Sequence, residues 1–118
     1  MQIAENGIYI NLVLEKGKAA AFTRFSRCPG RTETAQKDLH VCTLAEMQAS
    51  GFDQCDHHGN KHTGSSPSLL MKYETHTDHE NEYGRKLEIQ QDYEGLKLIT
   101  HMQFYNDIPV VRCWNELK

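Results

Sequence analysis

The stretch that decides the fold is RKLEIQQDYEGLKLITHMQFYNDIPVVRCWNEL, residues 85–117. Apolar and polar residues alternate along it, which is the period-two pattern of half-buried strands. In its middle segment one side carries Leu96, Leu98, Thr100, Met102 and Phe104, and the other side carries Lys97, Ile99, His101, Gln103 and Tyr105. Turn sequences at DYEG, residues 92–95, and at Asn106 and Asp107 divide the stretch into three segments. The pattern therefore predicts a three-stranded antiparallel meander.

The same alternation occurs near the start of the chain. In GIYINLVL, residues 7–14, the apolar side chains that share one face are Ile8, Ile10, Leu12 and Leu14. EKGK follows as a turn, in which Gly17 supplies the positive φ that a tight connection often needs. AAAFTRF, residues 19–25, then reads as the partner strand, and the polar stretch 26–38 predicts a long loop.

Residues 39–50, LHVCTLAEMQAS, leave two interpretations open. Thr43 with Glu46 three residues later resembles a helix capping box, whereas the alternation of the whole segment favours a strand, which is the interpretation we prefer. No other segment has the helical period over a convincing length. Strands without long helices predict an all-β fold, an antiparallel β-sandwich.

Length and composition set the scale of this sandwich. The 118 residues correspond to a single domain, residues 1–118, or to the N-terminal fragment of a larger one. Only 38% of the residues are hydrophobic, against roughly 45 to 50% in typical globular chains. We therefore expect a thin core, as in a two-layer sheet or in a piece of a larger body.

Charge and cysteine usage narrow the partners and the compartment. The formal net charge is −3, and the basic residues do not cluster into the stripe that nucleic acid requires, so we expect no nucleic-acid partner. No segment has the roughly 18 to 20 apolar residues of a membrane span, and the start lacks the basic and apolar regions of a signal peptide. The four cysteines contain no C-x-x-C pair. A reduced, cytoplasmic location fits this usage best.

The sequence DHHGNKHTG, residues 56–64, concentrates three of the seven histidines. A structural zinc ion needs four converging ligands, usually supplied as two closely spaced pairs. The candidates here are Cys55, His57 or His58, His62 and the remote Cys42. Their spacing matches no such pattern, and Gly59 and Asn60 break the helix that would align the histidines. We therefore expect no metal.

Catalytic chemistry also has little support in the residues alone. Ser65 and Ser66 lack the strand-to-helix elbow of a serine nucleophile, and no pair of carboxylates is marked out for glycoside cleavage. Two interpretations of residues 56–64 remain open. The segment is either a surface loop that hydrogen-bonds its own backbone or a loop that faces a ligand.

Four features together resemble the N-terminal domain of bacterial alpha-galactosidases of glycoside hydrolase family thirty-six. They are DHHGNKHTG, the KYETH segment at 72–76, the pattern N-E-x-G-R-x-L-E-I beginning at Asn81, and HMQFYNDIPVVRCWNEL at 101–117. The resemblance covers about half of the chain. It implies an antiparallel domain of the galactose-mutarotase-like supersandwich fold, of which this chain would be part.

The resemblance also implies an activity for the parent protein. Such enzymes remove terminal alpha-linked galactose with retention, without metal or organic cofactor, through two aspartates in a separate (β/α)8 barrel. This chain would then be a non-catalytic portion of a homo-oligomer that meets alpha-galactoside oligosaccharides through the parent enzyme. The residues that would shape or approach the rim of the sugar site are Asp56, His57, His58, Lys61 and His62.

Two other functions stay open at this point. One is a stand-alone carbohydrate-binding or scaffolding β-sandwich, and the other is a mutarotase-like sugar epimerase that uses a histidine as an acid. If the chain is a fragment cut at Lys118, the apolar strand IPVVRCWNEL at 108–117 predicts that copies self-associate, either by pairing strand edges or by packing face to face.

Overall fold

The computed structural model describes residues 1–29, 42–47 and 66–118. Those residues form eight strands and one short helix. In chain order they are β1 (Gln2–Glu5), β2 (Ile8–Val13), β3 (Ala21–Ser26), β4 (Cys42–Thr43), α1 (Ser66–Leu70), β5 (Lys72–Glu80), β6 (Arg85–Tyr93), β7 (Leu96–Phe104) and β8 (Val111–Leu117). The strands make two antiparallel sheets, ordered β1-β2-β3-β4 and β5-β6-β7-β8. The predicted all-β, sandwich-like fold is confirmed. Within the described ranges no helix has the length and apolar character needed to cross a bilayer.

The predicted meander is present as β6, β7 and β8, and β5 adds a fourth strand to it. β6 and β7 pair without a register shift up to Tyr93 and Leu96, so the turn is two residues long. Glu94 and Gly95 both have positive φ, at 49° and 88°. This is the backbone of the tight hairpin turns whose twist matches that of the flanking strands.

Burial follows the predicted alternation along β6 but not along all of β7. Leu87 and Ile89 are fully buried, and they face Met102 and Thr100 across the ladder. On β7, however, His101 and Gln103 are also buried although they lie on the opposite face. That face is covered locally by side chains from neighbouring strands and from the β5–β6 turn, which a pattern of single residues does not reveal.

The first sheet agrees with the sequence at β2 and β3, whereas β1 was not predicted. Ile8, Ile10 and Leu12 are buried on one face of β2, and β3 pairs antiparallel to it with an irregularity between Asn11 and Leu12. Of the preferred strand at 39–50, the described residues 42–47 contain the two residues of β4, and residues 39–41 and 48–50 lie outside the described residues. Thr43 Oγ1 donates a hydrogen bond to Glu46 Oε1 at 2.8 Å, but no helix follows in residues 42–47. Most of the predicted loop at 26–38 lies outside the described residues.

The two sheets face each other across a common hydrophobic core. Its buried members are Ile3, Ile8, Ile10, Leu12, Ala20, Tyr73, Leu87, Ile89, Met102 and Phe104. Polar contacts join the same two layers. The buried amide of Gln91 accepts a hydrogen bond from Ala20 N at 2.7 Å, and Tyr73 N donates to Lys18 O at 2.8 Å. Because a buried amide left without a partner is costly, these bonds fix how the layers are aligned.

The turn before β6 generates a stability prediction. Gly84 has φ of +145°, and a Cβ added there would lie 2.7 Å from Phe104 O, a backbone atom that cannot move aside. Gly84→Ala should therefore lower the free energy of unfolding by about 3 kcal/mol, measured by urea denaturation.

Gly17→Ala is the matched control, because Gly17 also has positive φ, at +83°, but has open space around it. It should cost only about 1 kcal/mol, the strain of the left-handed backbone alone. Equal losses in the two variants would show that the close approach at Gly84 has no energetic effect.

Candidate functional site

The second sheet has one face toward the core and one face away from it. Residues opposite each other in the ladder share a face, so the register assigns the outward side chains. We call the following set the polar face: Thr77 and His79 of β5, Lys86, Glu88 and Gln90 of β6, Ile99, His101 and Gln103 of β7, and Arg112, Trp114 and Glu116 of β8. It combines both signs of charge with one large aromatic ring.

Trp114 lies at the centre of β8 and directly opposite His101 of β7. The two rings are stacked, with centroids 4.8 Å apart and planes 5° from parallel. Lys86 Nζ and the guanidinium carbon of Arg112 lie 5.7 Å and 5.3 Å from the centre of the indole, within the range of cation–π attraction. Trp114 nevertheless remains 36% exposed. The polar face therefore holds an indole in a fixed orientation with part of its surface open to solvent.

Carboxylates bracket the histidine beneath this ring. Glu116 Oε2 lies 3.2 Å from His101 Nε2, and Glu88 Oε1 lies 3.1 Å from His101 Nδ1. Nδ1 is buried and has no hydrogen bond, so its contact with Glu88 is short but misaligned for donation. His101 is thus held between two acidic groups while Trp114 covers it.

Lys86 sets the charge state of Glu88. Its Nζ lies 2.7 Å from Glu88 Oε1, and Thr77 Oγ1 donates to the other carboxylate oxygen at 3.2 Å. The hydrogen bond from Lys86 is the main reason that the pKa of Glu88 lies below its ordinary value, and it outweighs the opposing effect of burial. Glu88 is therefore ionised at neutral pH and offers a fixed negative charge on the polar face.

This geometry suits binding better than proton transfer. A sheet surface with an exposed indole, carboxylate acceptors and cationic donors can stack on the apolar side of a ligand and hydrogen-bond its polar groups. A general acid or base must lie within hydrogen-bonding reach of the group that reacts. His101 is only 7% exposed and lies under Trp114, so a substrate does not have that access.

A second charged cluster, around Arg85, has a structural role. The guanidinium forms a two-point contact with Asp78, at 2.9 Å and 2.6 Å, and reaches Glu5 of the other sheet at 3.1 Å. These contacts hold the pKa of Asp78 below its usual range and raise that of Arg85. Arg85 is therefore an ionic link between the two layers.

The pattern N-E-x-G-R-x-L-E-I has a physical explanation in the β5–β6 turn. Asn81 Oδ1 accepts hydrogen bonds from the backbone N–H groups of Tyr83 and Gly84 at 3.0 Å and 3.2 Å, and Asn81 Nδ2 donates to Gln103 at 2.6 Å. Gly84 permits the close approach to β7. The pattern thus builds the turn and joins the sheets, and none of these contacts requires a ligand.

One pocket of about 240 Å³ is formed at the α1 end of the second sheet by Leu70, Lys72, Asp92, Tyr93 and Glu94. Ligand pockets usually hold roughly 300 to 1,000 Å³. This pocket is therefore small for an oligosaccharide.

The site residues predicted from the sequence all lie outside the described residues; they are Asp56, His57, His58, Lys61 and His62. The same is true of Cys55. Within residues 1–29, 42–47 and 66–118, no group of three or more His, Cys, Asp or Glu side chains is placed to hold a metal ion.

Sequence reasoning did not find the polar face. The sequence does place His101 and Trp114 on the polar sides of their strands. Whether the two rings contact each other, however, depends on the register between β7 and β8.

The lowered pKa of Glu88 generates a pH prediction. Ionised Glu88 stabilises the fold above its unfolded-state pKa of about 4.3, and this contribution is lost as the pH falls through the lower folded-state pKa. Glu88→Gln has no such contribution to lose. Its free energy of unfolding should therefore fall less than that of the wild type between about pH 6 and about pH 3.

Glu82→Gln is the matched control, because Glu82 is exposed in the β5–β6 turn. That variant should follow the wild-type pH profile in urea titrations. If Glu88→Gln shows the wild-type acid limb as well, the ionised carboxylate does not stabilise this face.

No model of a known protein family, no curated protein and no solved structure matches this chain. Function must therefore be inferred from the residues and from the geometry of the polar face.

Proposed function

We propose that this chain is the non-catalytic β-sandwich portion of an alpha-galactosidase of glycoside hydrolase family thirty-six, and that its polar face binds carbohydrate. One observation carries the sugar-binding role: the exposed indole of Trp114, stacked on His101 and surrounded by Lys86, Glu88, Arg112 and Glu116. The all-β fold of two antiparallel sheets is the kind of architecture that the sequence resemblance implies.

The chemistry of a sugar explains why this face suits it. A pyranose ring has an apolar side made of C–H groups and a rim of hydroxyls that donate and accept hydrogen bonds. An aromatic ring supplies a rigid apolar surface for the C–H groups, and charged side chains supply strong hydrogen bonds for the hydroxyls. The polar face presents an aromatic ring and charged side chains together, since Arg112 and Glu116 flank Trp114 on β8.

Glycoside cleavage is assigned to a separate barrel of the parent enzyme. A retaining mechanism uses two carboxyl groups roughly 5 to 5.5 Å apart, one of which must attack the sugar. The carboxylates around Trp114 are engaged instead, Glu88 by Lys86 and Thr77, and Glu116 by His101 and Lys118. The proposal includes a cytoplasmic location, no metal or organic cofactor, and a role for residues 56–62 at the rim of the sugar site.

A stand-alone carbohydrate-binding sandwich is the second candidate, because the same polar face supports it. The two candidates differ in whether the gene also encodes a barrel with two catalytic aspartates, which its reading frame would reveal. The mutarotase-like alternative has less support, because His101, which lies at the centre of the polar face, is covered by Trp114.

The sugar-binding role predicts a defect in Trp114→Ala. Methyl alpha-galactoside should bind the wild-type chain weakly, with a dissociation constant on the order of 1 mM, and Trp114→Ala should weaken binding at least tenfold. NMR titration measures both, and Trp114→Phe should retain part of the affinity because it keeps an aromatic surface.

Tyr83→Ala provides the control, because Tyr83 is an exposed aromatic residue, 56% accessible, in the β5–β6 turn. Its affinity should equal that of the wild type. Absence of sugar binding by the wild type, or undiminished binding by a folded Trp114→Ala variant, would refute the sugar-binding role.

The non-catalytic role predicts that the purified chain does not hydrolyse a chromogenic alpha-galactoside. An active alpha-galactosidase serves as the positive control for the assay. Turnover that rises in proportion to the concentration of this chain, and that disappears when one of its carboxylates is replaced, would contradict the proposal.

A further inference from the structure

β8 forms an edge of the second sheet, and among the described residues no strand pairs with its other side. Natural edge strands commonly carry a proline, a bulge or charged side chains, above all lysine, which discourage pairing with other chains. β8 has no proline or lysine in residues 111–117, its two charged residues Arg112 and Glu116 have opposite signs, and its ladder with β7 runs without a register shift. Most of its residues are exposed. Within residues 1–29, 42–47 and 66–118, β8 is therefore an edge strand whose outer backbone groups can pair with another strand.

The hydrogen bonds to β7 determine which backbone groups are available. Lys97 and Lys118 exchange two hydrogen bonds, of 3.0 Å and 2.8 Å. Hydrogen-bonded pairs alternate along an antiparallel ladder, so Glu116, Trp114 and Arg112 also direct their N–H and C=O groups toward β7. The residues that direct these groups outward are Val111, Cys113, Asn115 and Leu117. A partner strand must pair through those four residues.

The sequence of β8 is self-complementary about Trp114. When two copies run antiparallel with Trp114 at the centre, Arg112 of each copy lies opposite Glu116 of the other. Val111 lies opposite Leu117, and Cys113 lies opposite Asn115. The outward-directed residues then meet one another, as the hydrogen-bond pattern requires, and all seven residues of the strand are paired.

Neighbouring registers lack this complementarity. The hydrogen-bond pattern permits only shifts that place outward-directed residues opposite one another, which moves the centre to Cys113 or to Asn115. A centre at Cys113 places Arg112 opposite Trp114 and leaves Glu116 without a charged partner on β8. A centre at Asn115 places Arg112 opposite Lys118, two like charges. Only the Trp114 register combines full overlap with two opposite-charge pairs.

We propose that two copies of this chain dimerise by antiparallel pairing of β8 about a two-fold axis at Trp114, which joins two four-stranded sheets into one. In this register Trp114 and Arg112 belong to non-hydrogen-bonded pairs, whose Cα atoms lie only about 4.5 Å apart, so their side chains contact those opposite them closely. Burial of Leu117, which is 54% exposed, adds an apolar contribution at both ends. The interface does not depend on sugar binding.

Charge reversal tests the register by sedimentation equilibrium. Arg112→Glu places two pairs of glutamates in the interface and Glu116→Arg places two pairs of arginines, so each variant should weaken dimerisation at least tenfold. The double variant Arg112→Glu/Glu116→Arg restores opposite charges and should return to within about threefold of the wild type.

Mixing the two single variants separates the interface from damage within one chain. A heterodimer of Arg112→Glu with Glu116→Arg contains two Glu–Arg pairs, so the mixture should dimerise although neither variant does so alone. A wild type that remains monomeric at all attainable concentrations would overturn the proposal. A dimer that is unaffected by both single reversals would overturn it as well, because its interface would lie elsewhere.

Crosslinking provides a second measurement that does not depend on charge. Cys113 and residue 115 of the other copy form a hydrogen-bonded pair with Cα atoms about 5.5 Å apart, within the range that a disulfide spans. Oxidised Asn115→Cys should therefore give a covalent dimer whose 113–115 link is found by peptide mass spectrometry, whereas Asn115→Cys/Cys113→Ser should lack that link. Failure of the first variant to form the link would also count against the proposed register.

Discussion

The two-residue turn at Glu94 and Gly95 fixes the register on which the second sheet depends. Both residues occupy the left-handed region, so the turn connects β6 directly to β7 without an extra residue. A slip of one residue would exchange the two faces of β7. Leu98 and Met102 would then leave the core while Lys97 and His101 entered it. The hydrophobic core and the polar face thus depend on the same turn.

Polar contacts, together with the hydrophobic core, determine how the two sheets are aligned. The sandwich is held by apolar packing, but its alignment also depends on the buried hydrogen bond from Ala20 to Gln91 and on Arg85, which binds carboxylates of both sheets. Apolar contact alone is not directional and tolerates sliding. A buried amide and a two-point ion pair do not, because moving them leaves polar groups unsatisfied. These contacts therefore specify one arrangement of the two layers.

Alternation of single residues predicted the strands but could not predict which side chains meet. β2, β6 and β7 follow directly from their period of two, and the tight turn follows from Glu94 and Gly95. The pairing of His101 with Trp114 depends on the connection between β7 and β8, and so the stacked rings could not be read from composition. Residues 39–50 were ambiguous because their alternation favours a strand whereas Thr43 and Glu46 resemble a helix cap. Within residues 42–47 the structure shows a two-residue strand and no helix. The histidine-rich stretch 56–64 was selected by its composition and lies outside the described residues, whereas the polar face is assembled from residues of four strands.

The two roles proposed for β8 meet at the same side chains. Pairing between copies forms its hydrogen bonds through the outward backbone groups of Val111, Cys113, Asn115 and Leu117. Its charge pairs, however, use Arg112 and Glu116, which also flank the indole that a sugar would contact. Dimerisation would place the two indoles side by side on one continuous surface. A ligand with two sugar units would then meet two aromatic surfaces joined in one rigid sheet, which raises the effective concentration of the second contact without any change in the first. The edge that makes β8 available for pairing would thereby extend the face that recognises the ligand.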